Sequence, residues 1–386
     1  MVWPIPGSEV CVADREHSLL VAGVSGQIKV ERAIAEIRSA RPVAVSGPQG
    51  VLIATSVEAL DGALSADLDT LSAGQARLLL AAPRLRHLGL EREAAGALAL
   101  PHIDLARITR LAVDTDARVE APVSALSAQD EAALELMRLA LVLPALVVFP
   151  ATGSAKLDSL VQVSMADVMD YRTVERTALT LISRAPVPLE GAPDSEFVIF
   201  RGGEGLRDQA AVIIGKPDLS KPVTVRLHSA CLTGDLFGSL KCDCGDQLRH
   251  TARFMAENGG GILLYLDQEG RGNGISNKIR AYRLQAQGFD TYDADEVLGF
   301  DHDQRGFAFA ADMLKQLGVS IVRVMTNNPV KIAALESAGL TVAADQRIVG
   351  RLTDENLRYL ESKRDRAGHM IDDLVQAAPA LGTAKD

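Results

Sequence analysis

The sequence predicts an α/β protein with mixed sheets, divided into two domains. The chain has 386 residues, more than one ordinary domain contains. Helical and strand patterns alternate along it, which is typical of helices packed against sheets. A segment with three prolines, residues 184–196, is the best candidate for a boundary between the domains. We therefore expect a first domain over residues 1–183, a second over 184–372, and a flexible tail over 373–386.

The composition limits the classes of function. Hydrophobic residues make up 47% of the chain and charged residues 23%, as in soluble proteins with a full core. The net charge of −10 argues against a general binder of nucleic acid or of anionic lipid surfaces. The longest apolar stretch, around residues 139–149, is too short for a membrane span and contains a proline. The first residues show no export signal, so we expect a cytoplasmic protein that binds neither nucleic acid nor membrane.

The first domain shows helices and short buried strands, with few residues that suggest chemistry. Apolar residues at helical spacing predict helices over residues 29–40, 74–90, 131–143 and 166–183. Short apolar runs predict one strand over 41–47 and another at the start of 51–60, which then leads into a helix. The helix over 166–183 is expected to connect the two domains.

In the second domain, the predicted strands end in polar loops. Strands are predicted over FVIFRG, AAVIIGKP, VTVRLHSA, GILLYLDQEG and VSIVRVMTNNP, and helices over residues 246–259, 276–288, 307–318 and 331–340. Ligands of α/β proteins usually bind beyond the carboxyl ends of strands. We therefore expect the functional site in these loops.

The chemistry is centred on a cluster of cysteines. Cys231, Cys242 and Cys244 form a Cys-x10-Cys-x-Cys pattern, and the fourth cysteine, Cys11, lies far away in sequence. A disulfide framework is therefore not expected. Three thiolates with an open fourth position are typical of catalytic zinc, which activates bound water near neutral pH. The alternative is three buried thiols that pack as small hydrophobes, which fits poorly with the Gly, Asp, Thr and Ser around them.

Three further loops carry polar residues that suit a nucleotide. The loop over 266–274 contains three glycines, and its Glu269 and Arg271 can reach a ligand. TNNPVK offers a hydroxyl, free amides at a helix start, and Lys331, which together suit a phosphate. DHDQRG contributes an acid and an arginine. Each loop alone is also compatible with a surface turn, a capped helix start or solvated charges. Together with zinc they predict hydrolysis at a nucleotide base.

Three motifs in register then resemble GTP cyclohydrolase II over roughly residues 190–372. They are SACLTGDLFGSLKCDCGDQL, YLDQEGRGNGISNKIRAYRLQ, and LGF with Asp-x-Arg followed by TNNPVK. The resemblance implies a mixed α/β domain that opens the imidazole ring of GTP in the first step of riboflavin synthesis, releasing formate and pyrophosphate. It also implies zinc on the three cysteines, Mg²⁺ at the triphosphate, and a homodimer.

The resemblance assigns roles to individual positions. Arg305 matches an arginine proposed as a nucleophile toward the α-phosphate, Asp303 its acidic partner, and Tyr282 a tyrosine that assists at the ring. Because a guanidinium stays protonated, we expect Arg305 to stabilise phosphate charge instead. The positions that match substrate contacts are Arg226, Ser229, Gln247, Glu269, Gly270, Arg271, Thr291, Thr326 and Lys331.

Two departures from the family pattern leave the substrate open. Ala230 stands where a glutamate usually precedes the first cysteine, and the loop EGRGNGIS has Asn273 and Ser276 in place of apolar residues. We expect both changes to touch the substrate pocket. A paralogue that opens another nucleotide ring, such as that of a uracil nucleotide, is one alternative. A catalytically silent regulator with structural zinc is another, with His228 and His250 as the local candidates for a fourth ligand.

The first domain weakly resembles dihydroxybutanone phosphate synthase. The resemblance rests on AIAEIRSARPVAVSG and VSMADVMDYRTVERT. An acidic run of the type DDEDRENEGD is expected right after the RPV strand, but the chain reads SGPQGVLIATS there, and an RTGH-type stretch is also missing. Without these carboxylates there is no evident group to bind a divalent metal or abstract a proton. We expect a domain that keeps the fold, has lost that activity, and serves as a dimerisation surface, lid or regulatory module.

Overall fold

The protein is built around two seven-stranded sheets, each covered by helices. The computed structural model describes residues 25–151, 157–175, 179–202, 207–301 and 303–348, together with residues 350, 364 and 366. The tail over 373–386 lies outside the described residues. Both sheets mix parallel and antiparallel pairs, so the predicted α/β class with mixed sheets is confirmed.

The first sheet has the strand order β5-β4-β3-β6-β2-β1-β7 and is antiparallel except for the β1–β7 pair. Its strands are β1 (Val43–Gly47), β2 (Gly50–Ser56), β3 (Ala76–Leu80), β4 (Gly96–Leu100), β5 (Val123–Ala125), β6 (Ala145–Pro150) and β7 (Gln162–Ser164). Its helices are α1 (Ser25–Arg38), α2 (Gly62–Ser72), α3 (Ala82–His87), α4 (Leu105–Val113), α5 (Ala128–Leu139) and α6 (Met165–Glu175). We call this part of the chain the first half.

Both faces of the first sheet are buried. Alternate side chains of a strand point to opposite faces, and helices cover each face. Leu79 packs with residues of α1, α5 and α6 on one face. Leu78 and Leu80 pack with residues of α2, α3 and α4 on the other. The first half is thus a three-layer sandwich with its own core.

Two predictions of secondary structure were wrong in part. Residues 74–90 were expected to be helical, but β3 occupies the first part and α3 the second. A short, mostly buried run such as ARLLL looks the same in a helix and in a central strand. The sequence predicts one helix over residues 166–183. In the structure, helix α6 ends at Glu175, and Thr180–Pro186 is a strand, β8, of the second sheet.

The second sheet has the order β14-β13-β11-β12-β10-β9-β8. Its further strands are β9 (Ser195–Arg201), β10 (Asp208–Ile214), β11 (Val223–Ser229), β12 (Gly261–Leu266), β13 (Ile321–Met325) and β14 (Thr341–Gln346). Its helices are α7 (Leu232–Asp235), α8 (Cys244–Glu257), α9 (Ile275–Gln285), α10 (Thr291–Val297), α11 (Ala308–Gln316) and α12 (Pro329–Ser337). We call this part the second half.

Four adjacent strands of the second sheet, β14, β13, β11 and β12, run parallel. Their carboxyl ends therefore meet at one edge of the sheet. The cysteine segment leaves β11 there, the glycine loop leaves β12, and TNNPVK leaves β13. This edge is where the sequence predicts the functional site. Among the described helices, none has both the length and the apolar character of a membrane span.

Candidate active site

A cavity of about 350 Å³ lies at this edge, within the usual size range of small-molecule sites. The cysteines and all the residues predicted for catalysis or substrate contact line it. These are Arg226, Ser229, Cys231, Cys242, Cys244, Gln247, Glu269, Gly270, Arg271, Tyr282, Thr291, Asp303, Arg305, Thr326 and Lys331. Of the two histidines considered as a fourth metal ligand, His228 lines it and His250 does not. Residues up to 105 positions apart in sequence therefore share one site, and their individual roles stay predictions.

The three cysteine sulfurs lie within 4.8 Å of one another and none is in a disulfide. The Sγ atoms of Cys231 and Cys242 are 3.6 Å apart. A tetrahedral zinc ion with bonds of about 2.3 Å places two sulfur ligands about 3.8 Å apart. The cluster could therefore hold a metal ion, and it contains no histidine among the described residues.

Gly234 leaves room beside the sulfurs. A Cβ atom at this position would lie 2.7 Å from Cys242 Sγ and 3.0 Å from Cys231 Sγ. Such distances are far below van der Waals contact, so any larger residue would push the thiols apart. The glycine thus fits the metal-site interpretation, because it lets the backbone of α7 pass close to the sulfurs of Cys231 and Cys242.

Asp235 connects the cysteine segment to the sheet. Its carboxylate accepts hydrogen bonds from the backbone N–H of Cys231 (2.9 Å) and from the hydroxyl of Tyr265 (3.0 Å). His228 Nε2 lies 3.0 Å from the same carboxylate, and its ring stacks on Tyr265. His228 is therefore part of the buried wall of the cavity. These contacts fix the position of the first cysteine.

Lys278 is a site residue that the sequence analysis missed. Its Nζ lies 3.0 Å from Cys231 Sγ and 2.7 Å from Glu269 Oε1. The other oxygen of Glu269 accepts from the N–H of Leu232 at 2.6 Å. Contacts with the Cys242 and Cys244 thiols and with the Lys278 ammonium hold the pKa of Cys231 well below its usual range. Lys278 lies four residues before Tyr282 and therefore on the same face of α9. This spacing was the signal in the sequence that could have identified Lys278 as a site residue.

Tyr282 faces two cations. Lys241 Nζ lies 5.0 Å from the centre of its ring and Lys278 Nζ 5.7 Å. Burial raises the pKa of Tyr282 to about 12, although the charge of Lys278 opposes the shift. The hydroxyl therefore stays protonated at neutral pH and is available as a hydrogen-bond donor.

Asp303 and Arg305 form a close ion pair in the loop before α11. Arg305 donates from Nη2 to Asp303 Oδ2 at 2.6 Å and from Nε to Oδ1 at 2.9 Å. Burial raises the pKa of Asp303, but the Arg305 guanidinium outweighs burial, so the net pKa lies below its ordinary value. Arg305 Nη1 also reaches Ser229 Oγ at 3.2 Å. The guanidinium is thus fixed at the cavity wall as a permanent cation.

Arg226 and Lys331 give the cavity two further positive charges, and both are buried. Arg226 Nη1 donates to the carbonyl of Met325 at 3.2 Å, and Nη2 donates to Gln247. Lys331 Nζ donates to the carbonyl of Leu227 at 2.6 Å. Burial lowers the pKa of Arg226 to about 10, so it remains charged at neutral pH. Buried cations at the edge of a cavity suit an anionic ligand.

Arg271 and helix α10 form another wall of the cavity. Arg271 Nη1 lies 3.2 Å from Asp295 Oδ2, and its guanidinium lies 4.1 Å from the centre of the Tyr292 ring. Burial raises the pKa of Asp295 to about 6, although the Arg271 charge opposes it. Thr291 begins α10 and accepts from Gln285 at 3.3 Å. The sequence analysis identified Arg271 and Thr291 but missed Asp295, which lies in an ordinary helical pattern.

A family model described as GTP cyclohydrolase II matches residues 181–347. "GTP cyclohydrolase-2" of Xylella fastidiosa (strain Temecula1) is 43% identical over 360 residues, which are 91% of this chain and 89% of the relative. This chain belongs to the GTP cyclohydrolase II family. An alignment of that length extends into the first half as well, so the relative shares both halves.

Other relatives of the family match to different extents. "GTP cyclohydrolase-2" of Azospirillum brasilense is 40% identical over 360 residues, 89% of this chain and 94% of the relative. "Riboflavin biosynthesis protein RibBA" of Thermotoga maritima is 49% identical over 163 residues, 42% of each chain. A solved structure described as RibBX, a two-domain 3,4-dihydroxy-2-butanone 4-phosphate synthase from A. baumannii, is 16% identical, with a TM-score of 0.32, and covers 83% of this chain and 99% of that chain.

The two departures from the family pattern lie in different surroundings. Ala230 lines the cavity, as expected. Asn273 is buried and Ser276 is exposed, and neither lines the cavity. The expectation that both changes touch the pocket was therefore wrong for the loop, whose cavity-lining residues are Glu269, Gly270 and Arg271.

Proposed function

We propose that this chain opens the imidazole ring of GTP by hydrolysis, as the first step of riboflavin synthesis. The single observation that carries the proposal is the cavity that joins three cysteine sulfurs, the Asp303–Arg305 pair and two buried cations. The chain's membership of the GTP cyclohydrolase II family supports the same reaction. The reaction breaks both carbon–nitrogen bonds of the carbon between the imidazole nitrogens, and two water molecules supply the two oxygens with which that carbon leaves as formate.

At the ring end of the cavity, Cys231, Cys242 and Cys244 would hold zinc. Zinc, when bound, polarises water for addition to an electron-poor ring carbon. Tyr282 keeps its proton at neutral pH and can donate it in a hydrogen bond to a ring nitrogen as that nitrogen gains charge. Glu269 and Lys278 hold the turn between β12 and α9 beside the sulfurs. They orient the site rather than react.

For the phosphates, Arg226, Lys331 and Arg305 would supply positive charge. Release of pyrophosphate needs a further water molecule, which forms a new bond to the α-phosphorus while the bond to the bridging oxygen breaks, and the charge on the leaving group needs stabilisation. Asp303 keeps the Arg305 guanidinium in one orientation through three hydrogen bonds to its side chain. Arg305 therefore acts as a fixed cation in this proposal. Mg²⁺ would enter with the triphosphate, since it is commonly held through substrate phosphates.

A second candidate substrate is a uracil nucleotide, and Ala230 is the observation that favours it. A carboxylate accepts hydrogen bonds from N–H donors such as those of guanine. The methyl group of Ala230 offers no acceptor at this point of the cavity wall. The metal cluster would serve ring opening in either substrate, and the Asp303–Arg305 pair would serve the phosphates of either nucleotide.

The deciding experiment compares nucleotides on the zinc-loaded full chain. GTP with Mg²⁺, GMP, UTP and UMP are each incubated with the protein, and formate release and the ultraviolet spectrum are followed. Formate and the spectrum of a diaminopyrimidine from GTP support the proposal. Turnover of a uracil nucleotide alone supports the second candidate. Bound zinc without turnover of any nucleotide would instead indicate a regulator.

We further propose two domains, with the boundary placed before β8 rather than at residues 183/184, because Thr180–Pro186 is one strand of the second sheet. We also propose a cytoplasmic location and a homodimer, testable by cell fractionation and sedimentation. For the first half we propose a synthase-like domain without that activity. Support comes from the β1–β2 turn, where Pro48 and Gln49 form a two-residue connection in place of an acidic run. Absence of turnover of a sugar phosphate by the full chain tests this point.

A further inference from the structure

Helices α9 and α10 face the cavity on one side and the first half on the other. Lys278 and Tyr282 reach the cavity from α9, and Thr291 and Asp295 reach it from α10. On the opposite side, a buried apolar cluster joins these helices to the first half. Its buried members are Leu143 from the first half and Ala281, Leu284, Ala294, Val297, Leu298 and Phe300 from the second, with Val57 and Phe289 partly buried against them; Ala281 also lines the cavity. One wall of the cavity therefore has its packing partner in the other half of the chain.

Arg84 of α3 fastens the end of α10. Its side chain is 1% exposed, and Nη1 donates to the carbonyl of Val297 at 2.9 Å. The remaining donors go to carbonyls at the end of α4, to Leu111 at 2.8 Å and Asp114 at 2.7 Å. The last carbonyls of a helix lack intrahelical partners and carry partial negative charge. One guanidinium thus satisfies the ends of two helices in different halves.

Glu58 fastens α9 in a similar way. Its two oxygens accept from Arg280 Nη1 at 2.9 Å and Nη2 at 2.7 Å. One of them also accepts from the backbone N–H of Leu143 at 2.6 Å. A second bond across the same contact runs from Asn277 Nδ2 to the carbonyl of Leu141 at 3.0 Å. Arg280 is two residues from Tyr282, so this contact fixes the position of α9 relative to the cavity.

We infer that Arg84 and Glu58 are positioning residues of the second-half reaction, which they serve by holding Tyr282 and Thr291 in place through α9 and α10. This inference rests on the proposed function. It gives the first half a task that needs none of the missing synthase carboxylates. Neither residue lines the cavity, so each acts only through the helix that it contacts. Displacement of a reacting group by about 1 Å can lower a rate about 100-fold.

The test needs a control that weakens the fold equally without touching α9 or α10. Arg77 provides one, because it forms a two-bond pair with Asp130, at 2.8 Å for each bond, wholly within the first half. The variants Glu58→Gln, Arg84→Met and Arg77→Met are each examined for melting temperature, zinc per chain, and kcat and KM for GTP. The double variant Glu58→Arg with Arg280→Glu restores the ion pair with reversed charges.

We expect Glu58→Gln and Arg84→Met to lower kcat/KM for GTP about 10-fold or more, with zinc content unchanged. Arg77→Met should lower the melting temperature but leave kcat/KM within about two-fold, and the charge-reversed pair should recover activity relative to Glu58→Arg alone. Equal kcat/KM in all three single variants would overturn the inference. If Arg84→Met does not fold, Glu58→Gln and the charge reversal decide.

Failure of the proposed function gives a different pattern. In that case the unmodified chain releases no formate from GTP. Binding of a non-hydrolysable GTP analogue, measured by calorimetry, then still reports on the wall. Affinity that falls about 10-fold in Glu58→Gln but not in Arg77→Met supports the positioning role, and unchanged affinity in both refutes it.

Discussion

The two halves of the molecule have similar architecture and different chemistry. Each is a seven-stranded sheet with buried helices on it. In the first sheet almost all neighbouring strands are antiparallel, so carboxyl ends alternate between the two edges. In the second sheet four adjacent parallel strands bring their carboxyl ends to one edge. The difference shows that the direction of strands, more than the composition of a half, decides where polar loops can converge.

The buried charges of the halves differ as well. Asp130 and Arg84 in the first half are bonded to protein groups that stabilise the fold. In the second half, Arg226 Nε and Arg271 Nη2 are buried without a hydrogen-bond partner in the part of the chain that the structure describes. An unpaired buried donor is costly. Donors of this kind beside a cavity are expected where a ligand completes the bonding.

Removal of a cysteine sulfur should have the largest effect. The account expects Cys242→Ser to abolish zinc binding and to lower formate release from GTP by more than the roughly 100-fold that loss of an outer-shell metal partner costs. Zinc per chain and circular dichroism are measured together. Cys11→Ser removes a thiol outside the motif and serves as the control. If Cys242→Ser unfolds the chain, the zinc site is structural, and a catalytic metal no longer distinguishes the second half from the first.

Loss of the Arg305 cation should have the second-largest effect on activity. Arg305→Met is expected to lower kcat for GTP about 100-fold, because one preorganised charge near the leaving group is lost. Zinc content should stay constant. Arg201→Met breaks the exposed pair with Asp208 in the same half and should change kcat little. Steady-state kinetics of the two variants decide, and equal rates would remove Arg305 from the reaction.

Two glycine substitutions, one in each half, test whether the sulfur cluster is the metal site. Gly234→Ala places a Cβ 2.7 Å from Cys242 Sγ, whereas a Cβ at Gly62 of the first half meets nothing within 4 Å. Zinc affinity should fall about 10- to 100-fold in the first variant, as for other disturbances around metal ligands. It should not change in Gly62→Ala. Competition with a chelator measures both affinities, and an unchanged value for Gly234→Ala would speak against the sulfur cluster as the metal site.

The smallest effect concerns pH and stability. Burial raises the pKa of Asp295 to about 6, above its unfolded value of about 3.9. The folded state therefore binds this proton more tightly, and the free energy of unfolding gains from it as the pH falls through 6 toward 4. Relative to Asp295→Asn, the unmodified chain should gain at most about 3 kcal/mol between pH 8 and pH 4. Urea unfolding at several pH values measures the difference, and a flat difference would place Asp295 outside this account.

Much of the second half could be predicted because its signals are local. Cys231, Cys242 and Cys244 lie within one segment, and the polar loops follow strands with clear apolar runs. The α/β class and the convergence of the loops on one cavity also follow from local pattern and from the direction of strands. Zinc, the nucleotide and the separate roles of Asp303 and Arg305 remain predictions.

The rest depends on contacts between distant parts of the chain. Arg84 lies 213 residues from Val297, and no pattern around either residue announces their hydrogen bond. The β3 run reads equally as helix or strand until β4 and β6 are placed beside it. Lys278 becomes a site residue only when α9 is packed against the cysteine segment. Tertiary packing, rather than local preference, settles each of these cases.

The most direct measurement is a zinc titration of the full chain after removal of metal by a chelator, with formate release from GTP followed at each step. Formate release is expected to rise in proportion to bound zinc and to reach its maximum at about one zinc per chain, as for a three-cysteine catalytic site. A folded chain that binds zinc in this ratio and releases no formate from GTP would contradict the central claim that the second half performs this hydrolysis.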